Sequence, residues 1–500
     1  MTSVMSRSRY FERLALGLAL LLNLGYSLYY FHQTQTPFFA LSVDDMQRTL
    51  YSLEASRGNL IPAPFWPPLH FWIGGLALRL YPNLLRMPMV VNLLFSLLGV
   101  VALYYLAKDL FGSQLVGLAA ILMATFLPWH LWLSLSGLVE PIFHFFVILG
   151  FFACLRWVKA GSKGYLLAAA LSFLLSGMLR YEGWLFSVPF TILSLIQWGL
   201  AFKSVRRSDH FTLLCALIPW LFPLAWCSSL CLQYGNPFMF SWVTRDYYLR
   251  AHGLDSLAAR LLRHPYDLIE VSPSIFALAW YGVLKVWREQ RRIAALLSFL
   301  WLSEFAMIIV SSVNGSTTMN NPIRMVVINA ILLTPFAAIT LVSLWRRPLW
   351  GKVLAACLLS AICLMGVKGN NPRPQGLPDD VAQAGMYVNN LWREGILDSN
   401  DRIMVEVLYW DYVSLRFMTG HPDNVLFDRR LEADIVNGQI VMDDLANPSI
   451  LAADTGTLRR YLAKHNVKVV IAHSEIAIGQ MAKVVPKAFA NGRFVVFLVP

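Results

Sequence analysis

Charge is what this sequence is short of. Of its 500 residues 14% are charged and 57% hydrophobic, whereas soluble domains are about one-quarter charged. A soluble chain this long would need a polar surface that these residues cannot build. Repeated apolar runs of about 20 residues fit a bilayer, so the sequence describes a polytopic membrane protein. Acid is scarcer than base: 29 Asp and Glu stand against 41 Lys and Arg, a net charge of +12. The excess collects in short stretches between apolar runs, as membrane topology requires. No interleaved basic and aromatic patch lies off the membrane, so nucleic acid is not an expected partner. Cysteine is scarce as well. The six, at 154, 215, 227, 231, 357 and 363, all lie in apolar segments without His or Cys partners at metal spacing. A disulfide framework and a zinc ribbon are both excluded.

What is present is helix-forming apolar length. The first run, 11–31, exceeds a signal h-region and lacks a small-x-small cleavage site, so it reads as an uncleaved helix. Arg7, Arg9 and Arg13 precede it and place the N-terminus inside. "RWVKAGSK" (156–163), "KSVRR" (203–207), "KVWREQRR" (285–292) and "RRPLWGK" (346–352) should also face inside. That parity works if "FWPPLHFWIGGLALRLYP" (65–82) lies on the outer surface as an interfacial helix. The expected spans are then 11–31, 87–107, 114–133, 140–157, 164–180, 183–201, 211–233, 273–287, 292–312, 326–345 and 350–367. They make about 11 crossings, an all-α membrane domain over 1–369 with outer loops at 32–86 and 235–272. "NNPRPQGLPDD" (370–380) marks a linker, after which "RIMVEVL", "NVLFD", "VKVVIAH" and "RFVVFLV" read as buried strands. "DTGTLRRYLAKHN" reads as a capped helix, and residues 370–500 as a small outer-face α/β domain.

The first outer loop carries "SVDDMQRTLYSLEASR" (42–57). Val43, Met46, Leu50 and Leu53 form one apolar helical stripe, and Ser42 followed by Asp45 has capping-box spacing. Asp44 and Asp45 thus have a helix-capping reading beside a catalytic one. Glu140 in "LSGLVEPIF", Arg180 and Glu182 in "GMLRYEGWLF" and Arg324 in "MNNPIRMVV" fall on the same expected face. Ionisable residues near a bilayer are costly and usually face a cavity or a partner. Arginine holds phosphate bidentately and a carboxylate accepts a proton, so this composition suits a charged, lipid-linked substrate. Arg245 and Tyr247 in "RDYYLRAHG" (245–253) are candidate sugar or acceptor contacts, although an interfacial helix with aromatic and basic anchors explains them better. Glu304, in "LWLSEFAMII", is the main charge within a span. It is the residue on which an alternative reading, a transporter or lipid flippase, would turn.

The succession of "DD", "PPLHFWIGGLALRLYP", "LYYLAKDLFG", "EPIFHFFVILGFFACLRW" and "GMLRYEGWLF" resembles the GT-C membrane glycosyltransferases. It is most similar to the branch of the dolichyl-phosphate-mannose protein mannosyltransferases and lipid A aminoarabinose transferases. The resemblance runs through residues 10–200 and resumes near "NNPIRMVVINAILLTPFAA". It implies an inverting glycosyltransferase that takes a sugar from a polyprenyl-phosphate monosaccharide at the outer membrane face. The acceptor would be a hydroxyl of lipid, glycan or protein. By motif, Asp44 or Asp45 would be the catalytic base or acceptor-orienting group, and Glu140 the second acid. In some members that acid helps bind a divalent cation, which makes Asp45 and Glu140 candidate ligands for Mg, Mn or Zn. Arg180 and Arg324 are candidates for the donor phosphate by charge and expected face. One position departs from the aminoarabinose transferases: Trp66 stands before the proline pair where they commonly keep Lys. A prokaryotic cytoplasmic membrane is the simplest location, with the endoplasmic reticulum as the alternative.

Overall fold

The computed structural model describes residues 2–33, 38–63, 65–203, 210–252, 255–315, 322–369, 377–407, 411–429, 433–436, 439–442 and 448–500. Helix α1 (Thr2–His32) leads to two short helices, α2 (Val43–Ser56) and α3 (Leu69–Leu80). Then come α4 (Met87–Phe111), α5 (Gln114–Thr125), α6 (Pro128–Leu135), α7 (Glu140–Ala160), α8 (Lys163–Gly177) and α9 (Glu182–Lys203). Next, α10 (His210–Leu217) runs through a 3₁₀ turn into α11 (Leu221–Tyr234), followed by α12 (Met239–His252) and α13 (Leu257–Val271). The helical part closes with α14 (Pro273–Glu289), α15 (Arg291–Val313), α16 (Val327–Trp345) and α17 (Leu349–Gly369).

Among the described residues seven helices are long and apolar enough to cross a membrane, or nine if each of two bent pairs is one span. The protein is therefore a multi-pass membrane protein, and this count does not confirm the expected eleven crossings. The expected span 114–133 is broken: α5 and α6 meet at 69°, because Pro128 has no N–H to continue the ladder. Pro273 stands at the 95° break between α13 and α14 in the same way. Helix α8 has 15 residues, only about 22 Å at 1.5 Å per residue, short of a hydrocarbon core of about 30 Å. The last side chains of α9 lie outside the described residues.

The two ends of the bundle carry different chemistry. At one end Glu12 accepts hydrogen bonds from the Tyr104 hydroxyl at 2.9 Å and the Gln114 amide at 2.8 Å, and pairs with Lys108. Arg156 pairs with Asp109 at 2.5 Å beside them. These are residues at or beside the stretches expected to face inside. Helix α4, about 37 Å long by its 25 residues, runs from there to Asn92 and the opposite end, where α2 and α3 lie. The expected interfacial stretch is α3, packed on α2. A Cβ at Gly75 would stand 2.8 Å from the Ser56 backbone nitrogen, so glycine there permits the close contact. Trp72, Leu76, Leu80 and Tyr81 remain exposed, as befits a lipid-facing surface.

The C-terminal part is a sheet with helices on both faces. Its helices are α18 (Asp379–Arg393), α19 (Asp411–Met418), α20 (Thr455–Lys464) and α21 (Glu475–Ala482). Strands β1 (Arg402–Val405), β2 (Val425–Phe427), β5 (Val467–Ala472), β6 (Lys487–Ala490) and β7 (Val495–Leu498) pair in the order β2-β1-β5-β7-β6. The first three are parallel, and β7 and β6 run antiparallel at the edge. A separate hairpin joins β3 (Ala433–Val436) and β4 (Gln439–Met442). Ile403 and Val405 face the core with α18 and α19, while Met404 faces that with α20 and α21. Burial on both faces is why these strands read as unbroken apolar runs. The expected helix over "DTGTLRRYLAKHN" is α20, capped by the Asp454 carboxylate, which accepts from the Gly456 and Thr457 N–H groups at 3.0 Å.

Candidate active site

The exposed N–H groups at the start of a helix need acceptors, and Asp45 supplies them for α2. Its Oδ2 accepts from the backbone N–H groups of Leu41 at 3.1 Å and Ser42 at 2.8 Å, and from the Ser42 hydroxyl at 3.3 Å. This is the return half of a capping box. Its Oδ1 reaches the N–H of Gly137, in the turn between α6 and α7, at 2.7 Å. A Cβ at residue 137 would lie 2.8 Å from the Asp45 carbonyl oxygen, so the turn can come this close only as glycine. Asn92 donates to the carbonyls of Ser136 and Leu138 at 2.6 and 2.7 Å, pairing backbone groups that burial would otherwise leave unsatisfied. The turn held in this way delivers Glu140 to the start of α7.

Asp45 is fully buried, and burial, with the Asp44 charge adding to it, pushes its carboxyl up to about 7 against the opposing N–H donors. Asp45 therefore caps α2 and ties it to the α6–α7 turn, and both of its oxygens accept hydrogen bonds from within the protein.

Asp44 is placed differently. Its side chain is 36% exposed and Oδ2 is 3.2 Å from Arg324 Nη2. Arg324 Nε lies 3.5 Å from Glu140 Oε1, and the same oxygen pairs with Arg180 Nη1. Arg180 then holds Glu182 through Nη2 at 2.6 Å and Nε at 3.2 Å. Asp44, Arg324, Glu140, Arg180 and Glu182 thus form one chain of alternating charge drawn from four separate parts of the sequence. Burial alone would weaken the Arg180 charge, but Glu182 and Glu140 outweigh it and raise its pKa. Glu140 is 1% exposed, and among the described residues its Oε2 has no hydrogen-bond partner.

A third guanidinium belongs to the cluster, and the sequence reading missed it. Arg48 lies one turn along α2 from Asp44, with its guanidinium carbon 4.2 Å from the centre of the Trp66 ring. Its signal was the i, i+4 spacing from Asp44, which puts both on one helix face. Of the other expected residues, Arg245 is exposed on α12, and no hydrogen bond or ion pair among the described residues joins it to the cluster. The Tyr247 side chain lies outside the described residues. Glu304 is fully buried on α15 beside Asn329 of α16.

The donor set does not fit a divalent cation. Asp45 is filled by N–H groups, Glu140 Oε1 lies between two guanidinium groups, and a third guanidinium stands near. Among the described residues no three His, Cys, Asp or Glu side chains converge as a metal set. Arg48, Arg180 and Arg324 stand here against the carboxylates of Asp44, Glu140 and Glu182, and a guanidinium edge left over by these pairs suits an anion.

The sequence model of the dolichyl-phosphate-mannose-protein mannosyltransferase family matches residues 66–226, about a third of the chain. The matched segment holds Glu140, Arg180 and Glu182. No curated protein matches the chain at a significant level. Among solved structures, ArnT from Cupriavidus metallidurans bound to undecaprenyl phosphate superposes with a TM-score of 0.60 at 12% identity, over 95% of this chain and 97% of that one. The apo form of ArnT gives 0.58 at 13%, with the same coverage. The archaeal oligosaccharyltransferase AglB from Archaeoglobus fulgidus, in complex with an inhibitory peptide and a dolichol-phosphate, gives 0.52 at 13%, over 97% of this chain and 74% of that one. The chain thus shares its fold with ArnT and AglB, and its residues 66–226 are similar to the protein mannosyltransferase family.

Proposed function

We propose that the chain transfers a sugar from a polyprenyl-phosphate-linked monosaccharide to an acceptor hydroxyl at this cleft, on the outer face of the membrane and with inversion. The observation that carries the proposal is the alternating chain from Asp44 to Glu182, which ends in one accessible carboxylate. The polyprenyl phosphates bound to ArnT and AglB support the donor class. In the reaction the acceptor oxygen bonds to the anomeric carbon and its proton passes to Asp44. The bond from that carbon to the phosphate oxygen breaks, and its electron pair leaves with the polyprenyl phosphate. A positioned base contributes about 10²- to 10⁴-fold, and fixed guanidinium groups stabilise the departing anion. Arg180 and Arg324 supply part of that field and keep Glu140 ionised and fixed between them.

The test uses purified protein in lipid nanodiscs, hexosyl and pentosyl polyprenyl-phosphate donors, and lipid, glycan and peptide acceptors. Release of polyprenyl phosphate is followed with and without EDTA. Wild type is expected to turn over in either condition, with Asp44→Asn and Glu140→Gln inactive though folded. Folded wild type that releases nothing yet moves labelled lipid between leaflets would replace this reading with transport, and Glu304→Gln would then be the decisive variant.

A further inference from the structure

We propose that the end of the bundle opposite Asp44 binds the headgroup of an anionic glycerophospholipid, between α7 and the α14–α15 turn. A groove of about 360 Å³ opens there, lined by Val158, Lys159, Gln290, Arg291, Arg292 and Ile293. Two contacts hold its walls to the end of α4. Lys159 donates to the carbonyl of Asp109, and the Gln290 amide donates to the carbonyl of Leu110 at 3.3 Å. Among the described residues the acids at this end are already engaged. Glu12 is taken by Tyr104, Lys108 and Gln114, Asp109 by Arg156, and Glu289 lies 4.0 Å from Lys285. Arg291 and Arg292 are exposed, and neither side chain forms an ion pair among the described residues. Neighbouring charges of one sign repel, and a phosphate between them turns that repulsion into attraction.

The apolar part of the groove says which anion. Val158 is 39% exposed and Ile293 half-buried. From Arg292 the exposed positions Ala295, Phe299 and Leu302 follow at helical spacing along α15. They make an apolar track of about 15 Å at 1.5 Å per residue. Trp287, on the last turns of α14, is exposed beside it, as indole rings are where headgroups meet acyl chains. Cations at one level and an apolar track beneath them match a lipid phosphate with its chains. A soluble anion would use the cations and leave the track bare. Basic pockets between membrane helices hold lipid headgroups in this way. Charges that only set topology need no common groove. Arg346 and Arg347, exposed after α16, are such a pair, and they lie outside this one. A headgroup seated here joins α7, which begins at Glu140, to α15.

The experiment compares retention of phosphatidylglycerol and phosphatidylcholine by the full-length protein in detergent, read by native mass spectrometry. Wild type is expected to keep phosphatidylglycerol in preference. Arg291→Gln combined with Arg292→Gln should weaken that binding about thirtyfold, about fivefold for each lost charge, and leave phosphatidylcholine unchanged. Arg291→Lys with Arg292→Lys should keep most of the affinity. Arg346→Gln with Arg347→Gln removes the same charge outside the groove and should bind as wild type does. Added phosphatidylglycerol should raise the melting temperature of wild type but not of the Arg291 and Arg292 glutamine pair. Should that pair fold poorly, Arg292→Gln alone, about fivefold weaker, decides the matter. Equal retention of both lipids by wild type would overturn the proposal. So would equal losses in the two glutamine pairs, which would show a diffuse surface charge. Displacement of the lipid by inorganic phosphate would reveal a soluble-anion site and overturn the lipid assignment. Binding is read without glycosyl transfer, so its failure and that of the function proposed above are separate results.

Discussion

Asp44 keeps Oδ2 on Arg324 and its side chain partly exposed, whereas Asp45 spends both oxygens on N–H groups and a hydroxyl. Substitution should therefore separate the two. Asp44→Asn keeps the size and a bond to Arg324 but removes the base. Turnover is expected to fall about 10²- to 10⁴-fold with the melting temperature nearly unchanged. Asp45→Ala leaves buried donors on Leu41 and Gly137 unsatisfied and is expected to cost about 2–4 kcal/mol of stability, read by thermal unfolding in nanodiscs. Asp45→Asn retains an acceptor and should remain folded and active within a few-fold. Acidity gives a further test. Because burial raises the Asp45 pKa to about 7 from an ordinary value of 3.8, the folded state holds this proton more tightly than the unfolded one. The stabilisation is complete below the ordinary value and is lost as pH rises through about 7. Melting temperature should therefore decline in wild type as pH rises from the ordinary value of 3.8 to about 7 and level off above it, and this component of the decline should be missing in Asp45→Asn.

At the scale of elements, α2 is buried on two sides, and only one of them is apolar. Met46 and Leu50 face the C-terminal domain, as the apolar stripe leads one to expect. Asp45, Arg48, Thr49 and Ser52 are buried as well, on a face that an amphipathic reading assigns to water. They are turned to the rest of the membrane domain, where Gly137, Asn92 and α3 meet them. The α6–α7 turn is the complementary device, since it transmits the position of α2 to Glu140. Gly137→Ala forces a Cβ to 2.8 Å from the Asp45 carbonyl oxygen and must push the turn off α2. Turnover is expected to fall at least tenfold, with Glu140 and Asp44 both intact. Hydrogen exchange should show faster opening at Leu41, Ser42 and Gly137 while the middle of α7 is unaffected. Unchanged activity would mean that Glu140 is positioned by its arginines alone.

At the scale of the whole molecule the C-terminal domain is built onto the end that carries the Asp44–Glu182 cluster. Phe38 and Phe417 meet with ring centres 4.5 Å apart, and Phe38, Ala40, Met46 and Leu50 share a core with Val388, Leu415 and Val469. Arg57 donates from Nη1 to Asp423 at the rim at 2.8 Å, but both side chains are half exposed, and such pairs contribute about 0–1 kcal/mol. Phe417→Ala should cost about 3–5 kcal/mol of domain docking, seen as faster exchange throughout α2 and reduced turnover. Arg57→Ser should change neither beyond the error of the measurement.

Apolar length and charge asymmetry were enough to establish a membrane protein, because burial in lipid requires runs of that length and loops of that sign. The strands of the tail were legible for a similar reason, since an element covered on both faces leaves an unbroken apolar word. The motif order from the acidic pair to "GMLRYEGWLF" was enough to suggest the glycosyltransferase class. Which carboxylate faces the cleft was not legible, because Asp44 and Asp45 are one residue and about 100° of helix apart, and local pattern assigns both to the same N-terminus. The breaks at Pro128 and Pro273 were written in the chain, yet whether a proline ends a span or bends it depends on what packs beside it. Ion pairing between residues as distant as Asp44 and Arg324, and the lack of it at Arg48, came only from tertiary structure. Long-range electrostatics are set by where folded elements place charges in space, and a linear sequence records the charges without their distances.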